Sequence, residues 1–357
     1  MTTSSVGLDR KRGDTAMRTR GCPRCLLCET PGELLHENLT DRLFGTPGTW
    51  NLRRCSNAAC GLIWLDPMPL ADDIHKAYLG YYTHQNGLPV ADTILRRWYN
   101  RIIRGHLAIA YQYEGSRLSA FDRALGALLY FHPVRRACFA SSIYYLHSKP
   151  QGRLLEIGCG NGATLELLRS LGWHTEGLDI DPEAVERARR GGLLVQLGTL
   201  QSQMFPAESF DAIVSSHVIE HVPNPTSLVH ECYRLLKPGG RMVSITPNGG
   251  SWGHRFYQRD WRGLEPPRHL HIFTKEALTG LCLKAGFESV DCRPLVKANT
   301  ILLASRMLRQ KKQADLSNGL SNAQRFAVEI TCLAQWAASS VTSRAAEELI
   351  VSCTKTE

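Results

Sequence analysis

The chain has 357 residues, of which 43% are hydrophobic and 21% are charged, and its formal net charge at pH 7 is +9. A chain of this length can bury a large core and is expected to form one full domain with appendages. Residues 1–24 are polar and basic, and no apolar run has the length of a membrane span. We therefore expect no secretory signal and a cytoplasmic location.

Residues 1–20 hold five basic residues against two acidic ones, which predicts a disordered basic tail. Residues 21–70 then contain two cysteine knuckles that a loop separates, in the arrangement of a zinc ribbon. Four thiolates leave no open position on a tetrahedral zinc, so the metal is expected to be structural. The predicted ligands are Cys25, Cys28, Cys55 and Cys60, and the alternative is that Cys22 and Cys25 form the first pair.

Residues 71–150 predict a helical linker or cap, because apolar and aromatic residues recur with helical spacing among many arginines. Helices packed on the core with an arginine-rich face in solvent would explain the pattern. A peripheral contact with an anionic membrane is also possible, and nucleic acid is a less favoured partner.

A strand, a glycine turn and a helix are predicted at residues 153–181. An apolar run at residues 154–157 precedes the glycines, and a helical pattern of leucines follows them. Glycines let a ligand approach the backbone, and a helix N-terminus favours electron-rich groups. A second apolar stretch ends in Asp179, whose carboxylate could hold a ribose. The glycines are Gly158, Gly160 and Gly162.

This glycine spacing fits either a dinucleotide or S-adenosylmethionine, and four further features favour the second. Glu156 precedes the first glycine by two residues, and the unit begins in the middle of the chain. A strand from Phe210 ends in Ser216-His217 and is followed by Glu220-His221. The run LLKPGG at residues 235–240 leads into a fifth strand. Together they resemble the class I S-adenosylmethionine-dependent methyltransferases, most closely the ubiquinone-biosynthesis O-methyltransferase group, over residues 152 to about 290.

Alternation of strands and helices after residue 151 predicts a doubly wound parallel sheet. The resemblance implies a seven-stranded Rossmann-like α/β sheet with an antiparallel last strand in residues 151–357, and a helical insertion at about residues 297–346. It also implies a cofactor site. The residues that would contact S-adenosylmethionine are Glu156, Gly158, Gly160, Gly162, Asp179, Ile180, Thr199, Leu200, Ser216 and His217.

Residues 252–273 follow the fifth strand, where this fold places substrate-binding loops, and they are rich in Trp, His and Arg. Methyl transfer requires alignment of donor and acceptor and removal of one proton. His269 is the first candidate for the base, with His271 and His217 behind it. Arg262 and Arg268 could clamp a phosphate or carboxylate of the acceptor.

We therefore expect a methyltransferase that uses S-adenosylmethionine, carries a structural zinc and methylates oxygen on a saccharide, lipid-linked sugar or natural product. Methylation of an RNA base is the alternative, because some ribosomal RNA methyltransferases join a four-cysteine ribbon to this fold. Against this alternative, we find no catalytic motif of the base-methylating families, such as N-P-P-[YF] or a cysteine nucleophile pair. A sugar C-methyltransferase and a non-catalytic binding module are further alternatives, and the oligomeric state is open.

Overall fold

The computed structural model describes residues 17–78, 94–113, 118–148, 151–297, 300–310 and 320–356. The first part of the chain forms five short strands and then three helices. The strands are β1 (Thr19–Arg20), β2 (Gly32–Leu39), β3 (Trp50–Cys55), β4 (Ile63–Leu65) and β5 (Met68–Pro69). The helices are α1 (Ile94–Tyr111), α2 (Ala120–Ala127) and α3 (Pro133–Ser142).

Strands and helices alternate through most of the second part of the chain. The first group is β6 (Arg153–Ile157), α4 (Ala163–Ser170), β7 (His174–Asp179), α5 (Pro182–Arg190), β8 (Leu194–Leu197), β9 (Phe210–Ser216), α6 (Pro225–Leu235) and β10 (Leu236–Pro247). The second group is α7 (Trp252–Tyr257), β11 (His271–Ile272), α8 (Lys275–Lys284), β12 (Ser289–Leu295), α9 (Ile301–Arg309), α10 (Asn322–Ser339) and β13 (Glu348–Thr354).

The main sheet has seven strands in the order β12-β13-β10-β9-β6-β7-β8. Strands β6 to β10 pair in parallel, whereas β13 runs antiparallel to both β10 and β12. The predicted Rossmann-like sheet with an antiparallel last strand is confirmed. Strand order reverses between β6 and β9, and ligands of such sheets bind at the carboxyl ends of the strands near this point.

Side chains at the helix starts explain where the connecting helices begin. The Asp181 carboxylate accepts a hydrogen bond from the Glu183 amide at 2.9 Å, and Asn224 accepts one from the Ser227 amide at 3.0 Å. Proline occupies the first turn of both helices, α5 and α6, where its missing N–H costs no hydrogen bond. These caps fix where the chain turns back from the carboxyl edge of the sheet.

A second sheet joins the cysteine-rich segment to the rest of the chain. Its order is β11-β4-β3-β2. The edge strand β11 comes from the loop after β10 rather than from residues 21–70. Leu52 and Ile63 of this sheet belong to the same buried cluster as Leu155 of the main sheet. Burial of this shared apolar surface holds the two sheets together. The cysteine-rich segment is therefore not a separate body on a linker.

The structure differs from the predicted disordered tail at the tail's C-terminal end, where the chain is already ordered. Residues 1–16 lie outside the described part of the chain, but β1 pairs with β5, and Arg18 donates to Asp73 at 3.0 Å.

In the linker region, α1 and α2 cross closely, because a Cβ on Gly105 would lie 1.9 Å from the Asp122 carbonyl oxygen. Among the described helices, none is both long and apolar enough to cross a membrane.

Candidate functional site

The four predicted cysteine ligands come together in one cluster, to which Cys22 does not belong. The Sγ atoms of Cys25 and Cys60 lie 3.7 Å apart, and those of Cys28 and Cys55 lie 3.4 Å apart. All four Sγ atoms lie within 4.8 Å of one another. Zinc–sulfur bonds of about 2.3 Å in a tetrahedron place sulfurs about 3.8 Å apart, so this spacing fits zinc.

The turn between β6 and α4 leaves its front open. Gly160 has a φ of +53°, and a Cβ at this position would meet no atom within 4 Å. Gly158 has a φ of +71°, and its Cβ would lie 2.4 Å from Val218. The left-handed backbone conformation therefore disfavours a side chain at both glycines, and at Gly158 the contact with Val218 also leaves no room for one. The open space at Gly160 is where a ligand could approach the backbone.

Asp179 ends β7 directly beside this turn. Its carboxylate accepts hydrogen bonds from the Gly160 amide at 2.7 Å and from the Asp181 amide at 2.9 Å. Burial raises the pKa of this carboxyl group. Ile180 follows and is exposed, as an adenosine-contacting side chain would be before its ligand binds. The predicted ribose ligand therefore lies next to the predicted glycines.

Two further predicted contacts lie at the next strand ends. Thr199 is exposed and follows β8, but the Leu200 side chain is buried in the core. Leu200 as a whole is 2% exposed, so the structure disfavours it as a cofactor contact. Ser216 ends β9 and is half-buried.

Glu156 supplies a buried carboxylate below the glycine turn. Its Oε1 accepts a hydrogen bond from the Tyr144 hydroxyl at 3.0 Å, and its Oε2 has no hydrogen-bond partner among the described residues. Burial raises the pKa of Glu156 to about 8. A buried acceptor without a partner suits a ligand that brings a donor, such as the ammonium group of an amino-acid moiety. The donor set therefore fits S-adenosylmethionine.

His217 cannot act as a base in this structure. Its Nδ1 lies 3.0 Å from Glu220 Oε1, and its Nε2 lies 2.8 Å from Glu348 Oε1. Although burial opposes the charged form, these two carboxylates raise the pKa of His217 to about 10. The imidazolium then carries both protons near neutral pH and has no lone pair for an acceptor proton. The structure therefore disfavours His217 as the group that removes the acceptor proton.

His269 and His271 also lie in the interior. His271 belongs to β11, where it pairs with Trp64, and burial lowers its pKa to about 4. His269 Nδ1 lies 2.7 Å from the Gly263 carbonyl oxygen, and burial lowers its pKa to about 4 as well. Both side chains are at least 94% buried. The structure therefore disfavours both histidines as the group that contacts an acceptor.

His221 is a further candidate for the base, and the sequence analysis did not include it. It is half-buried, and its Nδ1 lies 3.0 Å from the Arg268 carbonyl oxygen and 3.0 Å from the Tyr78 hydroxyl. A carbonyl oxygen can only accept, so Nδ1 carries a proton, and in the neutral imidazole the lone pair is then on Nε2. The signal was present in the sequence, because His221 follows Glu220 just after the fourth strand of the catalytic unit.

Arg268 is fully buried, contrary to its predicted role as a clamp for the acceptor. Its guanidinium donates to both oxygens of Asp41 at 2.9 Å and to Glu265 at 2.8 Å. Arg262 pairs with Glu265 as well. Both arginines therefore neutralise buried carboxylates at the junction of the two sheets, and neither is free for an acceptor.

Residues 130–291 match a family described as a methyltransferase domain. A ubiquinone biosynthesis O-methyltransferase from Xanthomonas oryzae is 39% identical over 103 residues, which cover 27% of this chain and 43% of the relative. One from Cereibacter sphaeroides is 33% identical over 156 residues, covering 40% of this chain and 63% of the relative. The chain thus spans less than two thirds of the length of these relatives.

Solved structures of similar shape include a Thermotoga maritima S-adenosylmethionine-dependent methyltransferase described as a possible histamine N-methyltransferase. It is 23% identical, covers 66% of this chain and 98% of its own, and has a TM-score of 0.41. The family match, the curated relatives, the glycine turn and the strand order agree with one another. Residues 130–291 therefore match a methyltransferase domain, and the glycine turn and the strand order agree with a class I S-adenosylmethionine-dependent enzyme.

Proposed function

We propose that this protein transfers a methyl group from S-adenosylmethionine to an oxygen atom. The observation that carries the proposal is the joint position of Gly160, Asp179 and Glu156 at the carboxyl edge of the sheet. The open glycine turn lets the ligand approach the backbone. The strand-end carboxylate suits the ribose hydroxyls, and the unpartnered buried oxygen suits the ammonium group of the methionine moiety. Oxygen is the acceptor atom in the names of the curated relatives.

S-adenosylmethionine supplies an electrophilic methyl group on a positively charged sulfur. The chain has to align an acceptor hydroxyl with that carbon and remove its proton. We assign proton removal to Nε2 of His221, whose tautomer is fixed by the Arg268 carbonyl oxygen. As the proton moves to Nε2, the oxygen bonds to the methyl carbon, and the carbon–sulfur bond breaks with its electron pair on sulfur.

Replacement of this base is expected to slow turnover and to leave cofactor binding intact. His221→Ala should lower kcat by roughly 100-fold or more, the usual contribution of a positioned general base. The dissociation constant of S-adenosylmethionine should change less than twofold. His230→Ala, on the exposed face of α6, is the control. Near-normal turnover of His221→Ala would remove this histidine from the mechanism.

The acceptor class remains part of the proposal, and we favour a saccharide, a lipid-linked sugar or a natural product. The test is transfer of a tritiated methyl group by the purified protein into a cell extract, which is then separated into RNA, lipid and small-molecule fractions. Label in the lipid or small-molecule fraction supports the proposal. Label in RNA would replace it with base methylation.

The four-cysteine cluster is proposed to hold one structural zinc ion. Cys55→Ser should abolish zinc retention and unfold the sheet that contains β3, because the ligands lie on separate turns that the metal ties together. Cys22→Ser should keep about one zinc per chain, since the Cys22 thiol lies outside the cluster and donates to the Arg20 carbonyl oxygen at 3.8 Å. Atomic absorption on the dialysed proteins measures both. Equal loss of zinc in the two variants would contradict the assignment.

A peripheral membrane contact is proposed for the face formed by α1, α2 and the turn after them. Its exposed side chains include Trp98, Phe121 and Phe131, the last 88% exposed. The Arg101 guanidinium lies over the rings of Trp98 at 5.1 Å and Phe121 at 5.5 Å. Exposed rings next to cationic groups suit the interface of an anionic bilayer.

Phe131→Asp should therefore weaken co-sedimentation with phosphatidylglycerol vesicles by roughly tenfold, because it removes one buried aromatic ring from the interface. Met204→Asp is the matched control, since Met204 is 99% exposed in the loop before β9. Absence of vesicle binding at low salt, or equal losses in the two variants, would contradict the contact.

A further inference from the structure

A cavity of about 630 Å³ lies where the cysteine-rich segment meets the methyltransferase sheet. Its wall contains residues from the second cysteine knuckle, the turn directly after β10, the start of α8 and the approach to β13. The amide of Asn248 closes one side, because its Nδ2 donates to the carbonyl oxygens of Ser343 at 2.9 Å and Ala346 at 2.8 Å. The volume is in the range of small-molecule sites.

Four cationic residues from separate segments line this cavity. They are Arg54, Arg255, Lys275 and Arg344. Within the described part of the chain, none of the four forms an ion pair. Two carboxylates, of Glu33 and Glu276, also line the cavity, and four cations minus two anions leave a charge of +2. His254 adds no charge near neutral pH, because burial lowers its pKa to about 4.

A smaller cavity in the same junction has fewer unpaired cations in its lining. It has a volume of about 310 Å³ and is also lined by arginines. There, however, Arg42 and Arg309 both pair with Asp260, and Arg262 pairs with Glu265. Arg259 is the one arginine of this lining without an ion pair among the described residues. Unpaired cations around an open volume produce a positive potential that attracts an anion, and the larger cavity has four of them.

The cavity also offers groups that suit phosphate oxygens. The ten-residue helix α8 begins in its wall at Lys275, and a helix N-terminus carries partial positive charge. Ser343 adds a hydroxyl group to the lining. Trp252, 48% exposed in the same wall, gives an apolar surface for the remainder of a ligand.

Its position links the cavity to the transfer site. Asn248 follows Pro247, which pairs with Glu348 across β10 and β13. Glu348 in turn contacts His217 after β9 at 2.8 Å. The cavity therefore opens at the carboxyl edge of the sheet, on the side of β10 away from the glycine turn. We propose that it binds a phosphate or diphosphate group of the methyl acceptor, an inference that rests on the proposed methyl transfer.

Calorimetric titration of the full chain with inorganic pyrophosphate at low ionic strength tests this site without any turnover. The wild-type protein should bind pyrophosphate, and the variant Lys275→Gln/Arg344→Gln should bind it at least tenfold more weakly, because two charge-assisted contacts are lost. The control Arg104→Gln/Arg306→Gln removes the same charge from exposed positions outside the cavity and should stay within twofold of wild type.

Two results would overturn the inference. One is no binding of pyrophosphate to the wild-type protein, and the other is equal weakening in both double variants, which would indicate attraction by net charge alone. Titration of S-adenosylmethionine into the same samples separates this failure from that of the proposed function. If the wild-type protein binds S-adenosylmethionine, either result rejects only the phosphate site. If the wild-type protein does not bind S-adenosylmethionine, the proposed methyl transfer is rejected.

Discussion

Asp179→Ala should weaken S-adenosylmethionine binding by roughly 100-fold or more. Two hydrogen bonds from ribose hydroxyls to a carboxylate are worth about 1.5 kcal/mol or more each, and about 1.4 kcal/mol corresponds to tenfold in affinity. The substitution also removes the acceptor of the Gly160 amide, at 2.7 Å, which fixes the glycine turn. Calorimetric titration with the cofactor measures the change.

The matched control for this variant is Asp181→Ala, two residues further along the chain. Asp181 caps α5 through the Glu183 amide, so its loss should cost about 1 kcal/mol of stability. Its effect on cofactor affinity should stay within about threefold, since a cap changes stability rather than ribose contacts. Unchanged affinity in Asp179→Ala, or equal weakening in both variants, would reject Asp179 as the ribose ligand.

Arg268→Ala should lower the free energy of unfolding by about 3–5 kcal/mol. The substitution leaves Asp41 and Glu265, each at most 4% exposed in its side chain, without the shared buried cation that bridges them. Burial of an unpaired carboxylate is costly because the interior cannot replace its hydration. The loss is large, because total stabilities of about 5–15 kcal/mol are usual. Urea denaturation followed by tryptophan fluorescence measures it.

Arg42→Ala is the comparison for this prediction. Arg42 pairs with Asp260 at 2.7 Å, but its side chain is 39% exposed, so the loss should be about 1 kcal/mol or less. Asp41→Asn keeps the shape of the site and should fall between the two arginine variants. A cost of Arg268→Ala no larger than that of Arg42→Ala would show that the buried pair does not hold the junction.

The sequence predicted the main sheet well because its signals are local. Glycines after β6, Asp179 after β7 and capping residues such as Asn224 each act on neighbouring backbone, so their effect can be inferred from the order of residues. The cysteine cluster was predictable for a similar reason. Its thiols require one common partner, and that requirement restricts which cysteines meet.

The histidines and arginines of residues 252–273 could not be assigned in the same way. Their roles depend on contacts with distant segments, such as Arg268 with Asp41 and β11 with β4. No periodicity reveals that a short strand from this loop completes the cysteine-rich sheet. His269 and His271 were therefore placed at an open site, although the second sheet covers them. The same fold leaves His221 accessible.

The central claim is that the open turn at Gly160 and the strand end at Asp179 bind S-adenosylmethionine. Calorimetric titration of the purified wild-type chain with S-adenosylhomocysteine, the demethylated product of the cofactor, tests it without knowledge of the acceptor. The account predicts saturable binding of about one molecule per chain that Asp179→Ala weakens and Asp181→Ala does not. Failure of the folded protein to bind this ligand would contradict the claim.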